Sequence, residues 1–293
     1  GMIQEKIKEL EVKRALAQSW FSDPDKRKIS SNYDNRETPF TRFLSAETFT
    51  SYYQLTFKKT PVSILDIGCG QGQMLEYISK QLPLADLTGI DSSEEAIHCA
   101  NKLNIKANFI CTDIKNFSSH AKIYDVILIH LCFGLFENPI ELLEQLLPYL
   151  SNESMIYIVD LNRDSIESGL SSVQSKEEEL YIYDQYHASL TLSEFEQLLT
   201  YITKPREDMM YKIGTSIIGG FSPFSMEFLS LIGNGNLQQT LRQAPDQYSS
   251  STQKVPVLLH AWLIKNRQAP DQYSSSTQKV PVLLHAWLIK NSG

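Results

Sequence analysis

The sequence predicts an α/β protein: a mostly parallel sheet covered on both faces by helices, a three-layer α/β/α sandwich, with a helical cap in front of it. Three observations carry this expectation. From residue 62 onward, short apolar runs alternate with amphipathic helical patterns, the order that builds parallel strands joined by crossover helices. A glycine cluster, Gly68-Cys69-Gly70-Gln71-Gly72, stands between the first apolar run and the first helix. Acidic residues close successive runs, with Asp91 and Asp113 ending the second and third and Asp66 just ahead of the glycines of the first.

Taken in order, residues 3–21 place Ile3, Ile7, Leu10 and Ala17 near one helical face among charges, and residues 22–38 follow as a polar stretch with several turn formers. Residues 1–60 therefore read as an N-terminal helical cap. The alternation then gives strands over 62–68, 85–91, 107–113, 124–131 and 154–161, with helices over 71–81, 92–103 and 139–150. Helix starts carry their own signals. Ser92 with Glu95 and Thr191 with Glu194 have capping-box spacing, and Asn138-Pro139 supplies a cap and a pre-set first residue. A polar insertion spans 163–190 and is expected to lie over the ligand crevice, since long loops at such sheets are usually functional. A helix over about 191–202 and a strand over 255–264 complete the main domain, 61–266.

The chain of 293 residues carries a net charge of -7, with the acidic excess in residues 61–199 and weakly basic flanks. That balance excludes the concentrated Lys and Arg that grip a nucleic-acid backbone. The longest uncharged apolar stretches are far shorter than the roughly 20 residues needed to cross a bilayer, and no secretory apolar segment follows Met2. A cytoplasmic protein without membrane or nucleic-acid partners is expected. Cys69, Cys99, Cys111 and Cys132 lack metal or redox spacing and read as reduced core thiols; no metal site is expected. Residues 242–266 recur without change as 267–291. A sheet has room for one copy of the strand at a given place, so the other must pack elsewhere, remain an exposed edge or exchange between subunits, which makes a homodimer through this region possible.

Glycine permits positive φ and lets a ligand approach the backbone, so the cluster at 68–72 reads as a ligand loop at a helix start. A dinucleotide fingerprint would place its third glycine at position 73, where Gln73 stands. The run Ile64-Leu65-Asp66-Ile67-Gly68-Cys69-Gly70-Gln71-Gly72 instead resembles the first motif of class I S-adenosylmethionine-dependent methyltransferases. That resemblance covers residues 60–162 and implies a Rossmann-like fold with a seven-stranded sheet, the last strand antiparallel. It implies S-adenosylmethionine as cofactor, held by Asp66, Gly68, Cys69, Gly70 and Gly72. Asp91 and Ser92 would meet the ribose, Asp113 and Ile114 the adenine, and His130, at the end of the fourth strand, the methionine part.

Methyl transfer by direct displacement needs alignment and water exclusion more than a catalytic triad. If the acceptor must lose a proton, His130 is the first candidate base, ahead of His187, Tyr33 and Asp160; Arg36 could bind a carboxylate. The expected reaction is methylation of a small-molecule acceptor. The alternatives are a non-catalytic module that binds S-adenosylmethionine or S-adenosylhomocysteine, a protein or RNA methyltransferase, and, weakest, a nicotinamide enzyme.

Overall fold

A computed structural model of the chain describes residues 1–118, 122–216 and 258–266. Four helices come first: α1 (Met2–Glu9), α2 (Glu11–Ser22), α3 (Pro24–Glu37) and α4 (Pro39–Phe57). The alternating part follows as β1 (Ser63–Ile67), α5 (Gln73–Gln81), β2 (Asp86–Asp91), α6 (Glu94–Asn101), β3 (Asn108–Cys111), β4 (Tyr124–His130), α7 (Pro139–Leu146) and β5 (Leu150–Leu161). After it come α8 (Ile166–Leu170), α9 (Lys176–Ala188), α10 (Leu192–Thr203), β6 (Met209–Ser216) and β7 (Leu258–Asn266).

The seven strands form one sheet in the order β3-β2-β1-β4-β5-β7-β6. Strands β1 to β5 run parallel; β7 is antiparallel to both neighbours, β5 and β6. Successive side chains of a strand point to opposite faces. One face of the sheet accordingly gathers Ile64, Val126, Leu128, Met155, Tyr157 and Trp262 against Phe49, Tyr53, Leu75 and Ile78 of α4 and α5. The other gathers Leu65, Ile127, Ile129, Ile156 and Ile158 against Leu143, Leu146, Leu198 and Ile202 of α7 and α10. At ~1.5–3 kcal/mol for each large side chain removed from water, these two faces, and not helix propensity, hold the layers together. Arginine 14, inside the second layer, is a buried exception that matters below.

Several expectations change. The polar stretch 22–38 is mostly helix, because Asp23 accepts the backbone N–H groups of Asp25 and Lys26 while Pro24 opens α3. Its sparse apolar residues hid the helical period. The single helix expected over 3–21 is two, divided at Leu10. The seventh strand, expected without a place, is β6. The insertion 163–190 folds mainly as α8 and α9, and α9 packs against α2 and α3. Asn138 and Thr191 cap as expected, the latter with both bonds of a capping box. Helix α6 is capped by Ser93, not Ser92. All four cysteines are free, and Cys111 is exposed and not a core thiol. No described helix is long and apolar enough to cross a membrane. Strand β7 lies in the first copy of the duplicated segment; the second copy, 267–291, and most of the linker after β6 lie outside the described residues.

Candidate functional site

The crevice lies at the carboxyl ends of β1, β2, β4 and β5, where doubly wound sheets bind their ligands. Its first wall is the loop after β1. Gly68, Gly70 and Gly72 all have positive φ, +69°, +55° and +86°. Their surroundings differ. A Cβ at Gly72 would lie 2.9 Å from the side chains of Leu103 and Phe109, and one at Gly68 would lie 3.0 Å from Cys132 Sγ. At Gly70 a Cβ would meet nothing within 4 Å. Gly72 thus serves helix packing, whereas Gly70 leaves its backbone open to a ligand. The Cys69 side chain is buried, with its thiol within 2.9 Å of where a Gly89 Cβ would be, so this residue offers the crevice its backbone and not its sulfur.

The three acids fall in different environments. Asp91 sits at the end of β2; its Oδ2 accepts the Gly70 N–H and its Oδ1 the Ser93 N–H, each at 2.9 Å. One side chain therefore ties the glycine loop to the start of α6 and still has lone pairs to offer. Ser92 is exposed, and its carbonyl accepts from Cys111. Asp66 is buried, and its carboxyl is pushed up to about 8, first by burial, then by the charge of Asp91, against the pull of Arg42. Asp113 is exposed after β3 and accepts the Asn116 N–H at 2.8 Å, while Ile114 is buried in the core. Asp113 is a turn-forming acid on the open rim of the crevice.

The opposite wall is built where β4 ends. Leu131 has φ +56°, a left-handed conformation that costs a branched residue ~1–2 kcal/mol, and its N–H is fixed to the Val159 carbonyl at 2.7 Å. The chain turns there, which leaves His130 at the lip of the strand. His130 Nε2 meets Ser45 Oγ of α4 at 3.0 Å. Burial, then Arg42 and His260, lower this imidazole to about 3. Asp160, near the end of β5, is buried; its Oδ2 has no hydrogen-bond partner, and burial raises its carboxyl to about 6. Arg14 of α2 lies close enough to act on it electrostatically, yet its Nη1 donates to the carbonyls of Phe133 and Phe136. Burial lowers that guanidinium to about 10.

Aromatic rings from the cap and the insertion stand beside this wall. Tyr181 of α9 contacts Trp20, Phe21 and Tyr33 at centroid distances of 5.4, 6.0 and 5.7 Å. Its hydroxyl donates to Asp34 Oδ1 at 2.9 Å, and burial raises that carboxyl to about 6. Three candidates named from sequence are spoken for. Arg36 is bound in a fork to Glu178, so it is not free for a ligand carboxylate. Tyr33 bonds Ser172, and burial pushes its hydroxyl up to about 12, beyond the range of a useful base. His187 stacks on Tyr183 at 4.0 Å. Asp125 is structural: it accepts the Val62 N–H and the Ser151 hydroxyl.

Sequence reading missed Arg14, Asp34, Arg42 and Ser45. All four lie on cap helices, where a single polar residue carries no spacing signal; only the apolar setting of Arg14, between Leu10 and Ala17 on the buried face of α2, could have drawn attention to it.

Comparison with known proteins gives concordant findings. A family model described as a methyltransferase domain matches residues 40–203. Among solved structures, the plantazolicin methyltransferase BpumL, in complex with S-adenosylhomocysteine (SAH) and a monoazolic desmethylPZN analog, is 96% identical with a TM-score of 0.82, over 91% of this chain and 100% of that one. The plantazolicin methyltransferase BamL, in complex with a triazolic desmethylPZN analog and SAH, is 48% identical with a TM-score of 0.80, over 90% of this chain and 100% of that one. The malonyl-[acyl-carrier protein] O-methyltransferase of Bacillus cereus is 24% identical over 183 residues, 60% of this chain and 68% of its own length.

Proposed function

Because this chain belongs to the S-adenosylmethionine-dependent methyltransferase family, we propose that its acceptor is an azole-bearing small molecule of the desmethylPZN type, held between the cap, the insertion and the lip of β4. The observation that carries this reading is the buried Asp160 with its unpartnered oxygen. The backbone N–H groups of Leu161 and Gly134 serve this carboxyl, and a cationic or N–H-bearing group on the acceptor would satisfy the oxygen left over. Support for the azole itself comes from the desmethylPZN analogs bound by BpumL and BamL.

The residues present fit the cofactor. Gly70 leaves its backbone approachable, Asp91 has lone pairs free for a pair of hydroxyls, and Asp113 with Ile114 offers an acceptor beside an apolar surface. S-adenosylmethionine supplies a methyl group on a positively charged sulfur, ready for displacement. What the chain adds is alignment and dryness: the loop and Asp91 fix one partner and Asp160 the other. His130, lowered by burial, is too weak a base at neutral pH to remove a proton, and its Nε2 lies 3.0 Å from Ser45 Oγ. Asp160 is the residue poised to hold a proton near its working pH.

The test is incubation of the protein with S-adenosylmethionine and mono-, tri- and pentazolic desmethylPZN analogs, read by mass spectrometry. Gain of one or more methyl groups with matching release of SAH is the expected result. SAH binding with no transfer to any azole would overturn the acceptor assignment and favour a binding module.

A further inference from the structure

One glycine of the wall after β4 stands where neither backbone nor packing requires it. Gly134 is buried in the middle of the short 3-10 turn Phe133–Leu135. Its φ is not positive, unlike those of Gly68, Gly70 and Gly72. Nor is it hemmed in as Gly89 and Gly169 are, where a Cβ would lie 2.9 Å from the Cys69 thiol and 2.3 Å from the Tyr186 ring. A Cβ on Gly134 would meet three oxygens at ordinary contact distance: Asp160 Oδ2 at 3.4 Å, Ser189 Oγ at 3.5 Å and the Ala188 carbonyl at 3.7 Å. Alanine holds a helical turn better than glycine does, so stability alone favours a methyl group here.

What that methyl group would spoil is the approach to one oxygen. Ser189 spends its proton on the Gln185 carbonyl at 2.9 Å, and Ala188, the last residue of α9, presents a carbonyl, so neither donates to Asp160. Asp160 Oδ2 is buried and has no partner. A donor nitrogen stands ~2.9 Å from its acceptor oxygen, whereas non-bonded heavy atoms pack at ~3.5–4 Å. A methyl carbon 3.4 Å from Oδ2 would therefore overlap a donor that comes to this oxygen from the Gly134 side. The turn is in no position to yield. Buried Arg14 donates through Nη1 to the carbonyls of Phe133 at 3.1 Å and Phe136 at 2.7 Å, which fixes the chain on both sides of Gly134.

We propose that Gly134 is a specificity-determining residue of the acceptor site: its bare Cα leaves the unpartnered oxygen of Asp160 approachable by an N–H or cationic group of the acceptor, and a side chain there would exclude that group. The inference rests on the assignment of Asp160 to the acceptor and deepens it. It separates two effects that usually travel together, since the variant expected to bind the acceptor worse is expected to fold at least as well.

The experiment compares the full chain with Gly134→Ala, Asp160→Asn and the double variant, using S-adenosylmethionine and the triazolic desmethylPZN analog. Gly134→Ala should have a urea midpoint no lower than wild type and a Kd for SAH within twofold, with KM for the analog raised about tenfold. The double variant should have the KM of Asp160→Asn alone, within twofold, because the methyl group acts only through the oxygen that the second change alters. Gly134→Ala with unchanged KM, while Asp160→Asn raises it, would overturn the proposal and leave the acceptor role of Asp160 standing. So would factors that multiply in the double variant, or a Gly134→Ala chain that unfolds or loses SAH and analog together. Asp160→Asn with unchanged KM would instead strike the reading of Asp160 itself, and the role of Gly134 with it.

Discussion

Two glycines in one loop should respond to the same substitution in opposite ways. Gly72→Ala introduces a Cβ 2.9 Å from Leu103 and Phe109 at φ +86°. The left-handed conformation costs alanine ~1–2 kcal/mol and the overpacking ~1–3 kcal/mol, for a total of ~2–5 kcal/mol of stability. Gly70→Ala, at φ +55°, pays only the conformational part, ~1–2 kcal/mol, because its Cβ would enter open space. That space is where the cofactor is proposed to lie, so Gly70→Ala should weaken SAH at least tenfold, ~1.4 kcal/mol. Urea denaturation measures the first quantity and isothermal titration calorimetry with SAH the second. Gly70→Ala binding SAH as tightly as wild type would refute the argument that the open side of this loop is the cofactor's side.

Other outcomes follow from other parts of the fold. Thr191→Ala removes half of the capping box on α10 and should cost about 1 kcal/mol in urea denaturation, with no change in SAH affinity. Asp66 has a folded-state carboxyl raised to about 8, so the folded protein holds a proton there that the unfolded chain, with an ordinary Asp near ~3.9, releases. Its effect on stability is therefore most favourable below about pH 4 and declines as pH rises toward about 8, by at most ~1.4 kcal/mol per pH unit. Asp66→Asn, isosteric with the protonated acid, should match wild type at pH 4 and exceed it at pH 9 in thermal melts; a constant difference across that range would contradict the assignment. If Asp160 holds the acceptor as proposed, Asp160→Asn should raise KM for the azole acceptor at least tenfold while leaving SAH affinity within twofold; an unchanged KM would remove it from the acceptor site.

How much of this was legible in the sequence depends on what each residue's role requires. The parallel sheet and its crevice were readable because Val126–Ile129 is a continuous apolar run and Ile64–Ile67 is apolar but for Asp66, each followed by a turn, as strands buried on both faces must be. The left-handed backbone at Gly68, Gly70 and Gly72 and the nearness of Asp91 to Gly70 could be anticipated because the spacing along one strand-turn-helix unit is itself the geometry. The capping error at Ser92 has a local cause: two adjacent serines offer the same side chain, and only the backbone geometry selects Ser93, whose hydroxyl accepts the Ala96 N–H. The polar groups of the cap were not readable. Arg14, Asp34, Arg42 and Ser45 come from cap helices far along the chain from what they meet, 119 positions for Arg14 and Phe133, 147 for Asp34 and Tyr181 and 85 for Ser45 and His130, where periodicity reports burial but not what lies opposite. Strand β6 escaped because Met209–Ser216 lacks clean alternation and takes its place through pairing with β7, far along the chain.

Crystals of this chain grown with SAH decide whether the loop after β1, with Asp91 and Asp113, forms the cofactor site and whether the lip of β4 faces the methyl group. The expected density has the nucleoside over Gly68–Gly72, both ribose hydroxyls within hydrogen-bond distance of Asp91, the purine beside Asp113 and Ile114, and the sulfur directed toward His130. Density for SAH on any other surface, or a purine at the His130 end with the amino acid part at Asp113, would contradict it.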